Sequence, residues 1–454
     1  MLMILSRLRT SDPALLFLFF RPPNAGQGRG TVQQRGRRAK RDGQGIRRVE
    51  RGRRVNPRRA RVFTMSFLFK HKTRTPAELV KQIRLDLKGI EGIDLGSPSP
   101  ARMKKTLSFG TLKGFKDGDV ALHKTAKHMG QLRKMLVGDE SIDGRVGETG
   151  SDKDGNGRAK GGAATSTSSS AADGSTPYPK DCAAAVTEMC VQGLIKDLCL
   201  ALTQLDLEVC RDITACINAV LGYTAAGSGA KPGVDYFVEN CQIFDVLSAG
   251  FQDDATALHC GNILRECNRS PDLCKIMVLE PGQVLWNLFE YAECAEFSVQ
   301  SDVFDTLKEL LLKHKGVTSE LLADKYDRII GEYTKLLTSE AYMTKKLGLG
   351  LLGKLLLEHL KGSMLRYIND PKNLMLMMNL LKDKAPSIQY EAFHVFKVFV
   401  ANPDKAQGIV EILSRNHKKL ISYLENFHND KDNEQFKSEK VIVLQQINLI
   451  GLNH

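Results

Sequence analysis

Two stretches place residues at spacings associated with chemistry. Gly348-Leu-Gly350-Leu-Leu-Gly353-Lys354-Leu355 fits both G-x-G-x-x-G and G-x-x-x-x-G-K. Those patterns bind phosphate when backbone amides of a loop between a strand and a helix surround the anion. Here the preceding Tyr342-Met-Thr-Lys-Lys is a poor strand, and Leu355 stands where a magnesium-binding Ser or Thr is required. The second stretch, Asp152-x-Asp154-x-Asn156-Gly157, copies the first half of a calcium loop. Its twelfth position is Ala163 instead of a bidentate Glu, and no helical pattern flanks it. No H-E-x-x-H, G-x-S-x-G or kinase catalytic-loop pattern occurs. The ten cysteines form no C-x-x-C pair and no zinc-spaced cluster, so they read as small buried thiols of a reducing, cytoplasmic compartment. His394 lies among apolar neighbours and reads as a hydrogen-bonded core histidine. No nucleophile, base and orienting group come together. The expectation is a protein that is not an enzyme, with no cofactor, no metal and no small-molecule substrate.

The elements that carry these residues are helical and repeated. In Ser387–Ala401, residues Ile388, Ala392, Val395, Phe396 and Phe399 share one helical face, Phe393 and Val400 cover a second, and Pro403 ends the run. A helix apolar nearly all round must be buried between neighbours. The same helix recurs upstream. Val395 aligns with Leu352, Leu307, Ile263 and Ile217, at steps of 43 to 46 residues. Four residues on, the column reads Phe399, Leu356, Leu311, Cys267, Leu221; three residues back it reads Ala392, Leu349, Phe304, Cys260, Thr214. Helical units repeating at about 40–47 residues mark armadillo or HEAT solenoids. Such units stack to bury their apolar faces and offer an extended surface to partners. The predicted fold is therefore all-α: an armadillo/HEAT-like helical-repeat solenoid, shaped as a curved rod.

Charge is distributed unevenly. The chain carries +13 overall, but residues 1–64 hold 17 Arg and Lys against three acids. Residues 65–454 hold 48 basic and 49 acidic residues, so the predicted folded body is near neutral and gives no argument for nucleic-acid binding. The apolar run Ala14–Phe20 is too short to span a membrane. For 1–64 three readings stay open: translation beginning at Met65, a transit segment, or a functional basic arm. Residues 65–138 read as N-terminal helices of the solenoid, opened by Thr75 as N-cap, Pro76 and Glu78, with a Gly/Ser/Pro insertion over Gly92–Gly118. Helix resumes at Val120–Val137. Ser97, Ser99 and Ser108 in that insertion are candidate phosphorylation sites. Residues 139–180 form a low-complexity linker expected to be disordered, and 181–454 hold the repeats and a capping helix near Ser438–Ile450.

Asn373-Leu-Met-Leu-Met-Met-Asn-Leu-Leu-Lys-Asp-Lys384, followed by Ile388 through Pro403, closely resembles the Mo-twenty-five family, also called calcium-binding protein thirty-nine. Ile263–Cys267, Tyr326-Asp327, Glu332-Tyr333 and Glu434-Gln-Phe436 fit too, and Met65-Ser-Phe-Leu-Phe resembles that family's own start. The resemblance implies a helical, non-catalytic scaffold. Its expected partner is a STRAD-type pseudokinase or a sterile-twenty-type protein kinase, held in an active-like closed state. Two sites are implied by position. A C-terminal pocket for a Trp-Glu-Phe tail matches at Met378, with Leu374 and Phe393 as its apolar wall and Arg415 where the family has Lys. A concave kinase-facing patch matches at Phe297 and Tyr342, with Lys346 in place of Arg. Gly350 and Gly362 depart from that patch, standing for Lys and Phe. The alternative is an armadillo-type adaptor for an unrelated protein partner.

Overall fold

The computed structural model describes residues 74–90, 116–138, 179–279, 283–293, 296–359 and 363–452. The basic extension, the insertion serines 97, 99 and 108, the half calcium loop at 152–157, most of the 139–180 linker and Gly362 lie outside these residues.

Local signals start the first helix. The Thr75 hydroxyl accepts from the Glu78 amide, and the Glu78 carboxylate accepts from the Thr75 amide, a complete capping box with Pro76 at the first helical position. Nineteen α-helices follow one another among the described residues, and no strand. In order they are α1 (Pro76–Lys88), α2 (Lys116–Val137), α3 (Cys182–Val191), α4 (Leu194–Ala201), α5 (Leu207–Gly222), α6 (Pro232–Glu239), α7 (Ile243–Ala249) and α8 (Asp254–Cys267). Next come α9 (Pro271–Val278), α10 (Val284–Tyr291), α11 (Phe297–Leu312), α12 (Lys315–Asp324), α13 (Tyr326–Thr338) and α14 (Tyr342–Glu358). The chain ends with α15 (Ser363–Ile368), α16 (Pro371–Leu380), α17 (Pro386–Ala401), α18 (Gln407–Glu425) and α19 (Glu434–Leu452).

The long helices α2, α5, α8, α11, α14, α17 and α19 form one row, each packed on the next. The short helices α3, α6, α9, α12 and α15 form a second row in the same manner. This nearest-neighbour stacking is a helical-repeat solenoid, and all the described residues fall in one compact unit. The row of long helices is held by the repeat columns. Val395, Leu352, Leu307, Ile263 and Ile217 are all fully buried. Phe399, Leu356, Leu311 and Cys267 are equally buried, and Leu221 nearly so. Each such side chain contributes about 1.5–3 kcal/mol of burial. The nine described cysteines are free, seven of them buried. Burial drives the Cys210 and Cys274 thiols up to about 12, which leaves them inert.

Two boundaries differ from the sequence reading. Helix α2 begins at Lys116, not Val120, because one glycine near a helix start costs only about 1 kcal/mol. Helix α19 begins at Glu434, not Ser438, because the Asn433 side chain accepts from the Phe436 amide at 3.1 Å and caps it.

Candidate partner-binding site

The phosphate-loop reading meets a direct obstacle. Gly348–Lys354 is the interior of α14, with its amides committed to helical hydrogen bonding and none available to surround an anion. A Cβ on Gly348 would lie 3.5 Å from that of Leu336, so this glycine brings α14 close against α13. Among the described residues no group of three His, Cys, Asp or Glu side chains could hold a metal ion, and no helix is long and apolar enough to cross a membrane.

His394 is a core residue, but its expected hydrogen bond is missing. Neither ring nitrogen has a partner; Nδ1 faces Glu439 Oε2 at 3.7 Å. Glu439 is committed through Oε1 to the Lys397 ammonium at 2.6 Å, both side chains being almost wholly buried. Burial, aided by Lys397 and Lys431, pushes the imidazole down to about 3 and keeps it neutral.

The C-terminal end of the stack carries a surface groove of ≈ 910 Å³. Its lining includes Gln389, Lys418, Lys419, Tyr423, Phe427 and His428, and none of Leu374, Met378, Phe393 or Arg415. Leu374 and Phe393 are fully buried, Met378 is half-buried, and Arg415 is exposed. Of the four, Phe393 touches the lining directly. The Phe393 ring packs on Phe427, centroids 5.8 Å apart, so it backs the groove at one remove. Arg415 lies one helical turn before Lys418 and Lys419 on α18, and its own ion pair with Glu411 is long, 3.6 Å. The Tyr423 hydroxyl donates to the Leu381 carbonyl, just past α16 with its Leu374 and Met378. Sequence reasoning missed Lys418, Lys419, Tyr423 and His428. The first three had a signal: two lysines and a tyrosine at i, i+1 and i+5 on an amphipathic helix. His428 had none. It takes φ = 49°, the only non-glycine in the left-handed region among the described residues, at a cost of about 1 kcal/mol or more. The groove thus combines exposed cations with aromatic faces, chemistry suited to an acidic, aromatic peptide.

The second group lies on the row of long helices. Phe297 opens α11 with 62% of its surface exposed, and Tyr342 opens α14 with 42% exposed. Both precede their core column by ten residues, so they occupy the same place in adjacent repeats. The Tyr342 hydroxyl is 2.7 Å from Ser387 Oγ at the start of α17. The Lys346 ammonium lies over the Tyr342 ring, 5.9 Å from its centroid.

The profile described as Mo25-like matches residues 67–450. The chain belongs to the Mo25-like family. Among its relatives are calcium-binding protein 39-like of Homo sapiens, 43% identical over 262 residues, which cover 57% of this chain and 77% of that one. The degreening-related gene dee76 protein of Auxenochlorella protothecoides is 43% identical over 265 residues, covering 58% of this chain and 82% of its own. A Mo25-like protein of Schizosaccharomyces pombe is 42% identical over 248 residues, covering 54% and 74% respectively. Membership of the Mo25-like family supports a scaffold role in kinase regulation.

Proposed function

We propose that this chain is a non-catalytic cytoplasmic scaffold that binds a STRAD-type pseudokinase or a sterile-twenty-type protein kinase and favours its active, closed arrangement. Two surfaces divide the task. The C-terminal groove region, together with Leu374, Met378, Phe393 and Arg415, takes a Trp-Glu-Phe tail. Phe297, Tyr342 and Lys346 meet the folded kinase lobe. A rigid stack that touches only the closed lobe arrangement shifts the partner toward it by the difference in affinity between states.

One observation carries this reading: exposed aromatic side chains at repeated helix starts stand on the same stack as a groove of cations and aromatic rings. Solvent-exposed Phe297 contributes little to the fold, so its exposure supports a binding role. The test is calorimetric titration of a peptide ending in Trp-Glu-Phe into the full chain. Saturable binding that Met378→Ala or Arg415→Ala removes supports the reading. Indifference of the wild type to that peptide removes its main support.

A further inference from the structure

Three of the six joints between successive long helices carry an ion pair. In two of them the cation, Arg265 or Lys397, stands two residues after the core column of its helix. Arg265 of α8 holds Asp302 of α11 at 2.9 Å. Lys397 of α17 holds Glu439 of α19 at 2.6 Å. At the first joint Arg133 of α2 holds Asp212 of α5 at 3.0 Å. At the joint of α14 and α17 the equivalent pair is Lys354 and Glu391. Among the described residues Glu391 has no ion pair within 4.0 Å.

The cause is visible in its neighbours. Lys346 leans over the Tyr342 ring, and Lys431 lies over the Tyr390 ring at 3.7 Å. Lys354 points to solvent beside Lys308, whose charge opposes its own. Glu391 meanwhile stays half-buried, and burial outweighs those lysines and raises its carboxyl. Above the carboxylate there is room. Gly261 and Gly350 fill the same repeat position, but their space is used differently. A Cβ on Gly261 would collide with Asp302 Oδ2 at 1.9 Å, so the closed joint uses that space for its own carboxylate. A Cβ on Gly350 would sit 3.9 Å from Glu391 Oε2 with no other group within 4 Å, leaving a notch with a carboxylate on its floor. Tyr342, Lys346 and Gly350 follow at i, i+4 and i+8 on α14, so the notch continues the Phe297–Tyr342 surface by one turn.

We propose that the Gly350–Glu391 notch is a socket for a guanidinium group of the docked partner, which completes from outside the ion pair that three other joints complete from within. A planar guanidinium can meet the carboxylate through two parallel hydrogen bonds and relieve a half-buried, unpaired charge. The proposal that this partner is a kinase rests on the function proposed above; the socket itself does not.

Argininamide is the probe, titrated into the full chain with glutamate carboxyl carbons labelled for NMR. The Glu391 resonance, identified by its loss in Glu391→Gln, should shift saturably, while that of Glu434, whose side chain is 84% exposed, should not. Gly350→Lys should abolish the response by tethering an ammonium in the notch, without lowering the melting temperature, since it replaces a helix-interior glycine. Equal responses from Glu391 and Glu434 overturn the socket. So does a Glu391 signal that moves with Lys354→Ala but ignores argininamide, because Lys354 then closes the joint in solution. With a purified kinase partner, Gly350→Lys and Glu391→Gln should each weaken binding by about tenfold, the weight of one charge-assisted contact. Unchanged kinase affinity overturns the docking role. Absence of any kinase binding by the wild type overturns the proposed function, and the argininamide result still decides the socket.

Discussion

The C-terminal groove and the Phe297–Tyr342 surface use aromatic residues in opposite ways. Beneath the groove, Phe393 packs tilted against Phe427 and edge-to-face with Phe436, with centroids 5.8 and 5.0 Å away, and is fully buried. Those rings hold α17, the α18–α19 connection and α19 together, so the groove exists only while that end is packed. Phe297 and Tyr342 stand at helix starts with much of their surface in solvent. Under the proposed function, one region would couple binding to stability and the other would separate them.

The largest expected effect tests that coupling. Phe393→Ala should cost about 3–5 kcal/mol of stability, as for other buried aromatic truncations. Thermal denaturation gives the loss, and peptide binding at the groove should disappear with it. A variant that kept its melting temperature would show the groove to be independent of the core.

The second effect is one of pH. In the folded chain the imidazole of His394 is held down to about 3, against an ordinary 6.5. The groups that face it are Lys397, Lys431, Glu439 and Tyr390. The unfolded chain therefore binds the proton more readily, and stability rises with pH across this interval. The part due to His394 is fully present above 6.5 and is lost as pH falls toward 3. Its signature is a difference: the stability of wild type should fall more steeply than that of His394→Gln between those limits. Parallel curves would mean that α19 lifts and lets water reach the ring.

Phe297→Ala comes next. It should weaken kinase binding by about 1–3 kcal/mol, the range of a buried aromatic anchor, with stability altered by less than about 0.5 kcal/mol. Unfolding with unchanged affinity would make Phe297 a core residue. Arg415→Ala should have the smallest effect on the fold, leaving the melting temperature where it is, because its side chain is 79% exposed and its ion pair is long. Its effect should be confined to peptide binding at the groove.

Much of the architecture was legible because helical burial has a period. Val395, Leu352, Leu307, Ile263 and Ile217 were aligned by pattern alone, and every one is in the core. Short helices such as α15, six residues long, are too brief to show a period. The groove was legible only in outline. Its lining comes from α17, α18 and the connection to α19, and the left-handed His428 leaves no mark in local composition. The ion pairs between long helices were also overlooked, although Arg265 and Lys397 share a repeat position. Their carboxylate partners lie 37 and 42 residues away, and only the stacking brings them together. His394 fails for the opposite reason: a buried imidazole usually finds a partner, and here Lys397 holds Glu439 through Oε1 while Oε2 stops 3.7 Å short of the ring, both left without a hydrogen bond.

Affinity capture with the full chain, followed by identification of the proteins retained, tests the central claim most directly. The account predicts that a pseudokinase or sterile-twenty-type kinase is retained by the wild type, and that Phe297→Ala, still folded, loses it. Retention of unrelated proteins without any kinase, undiminished in the same variant, would contradict the account and favour an adaptor for another class of partner.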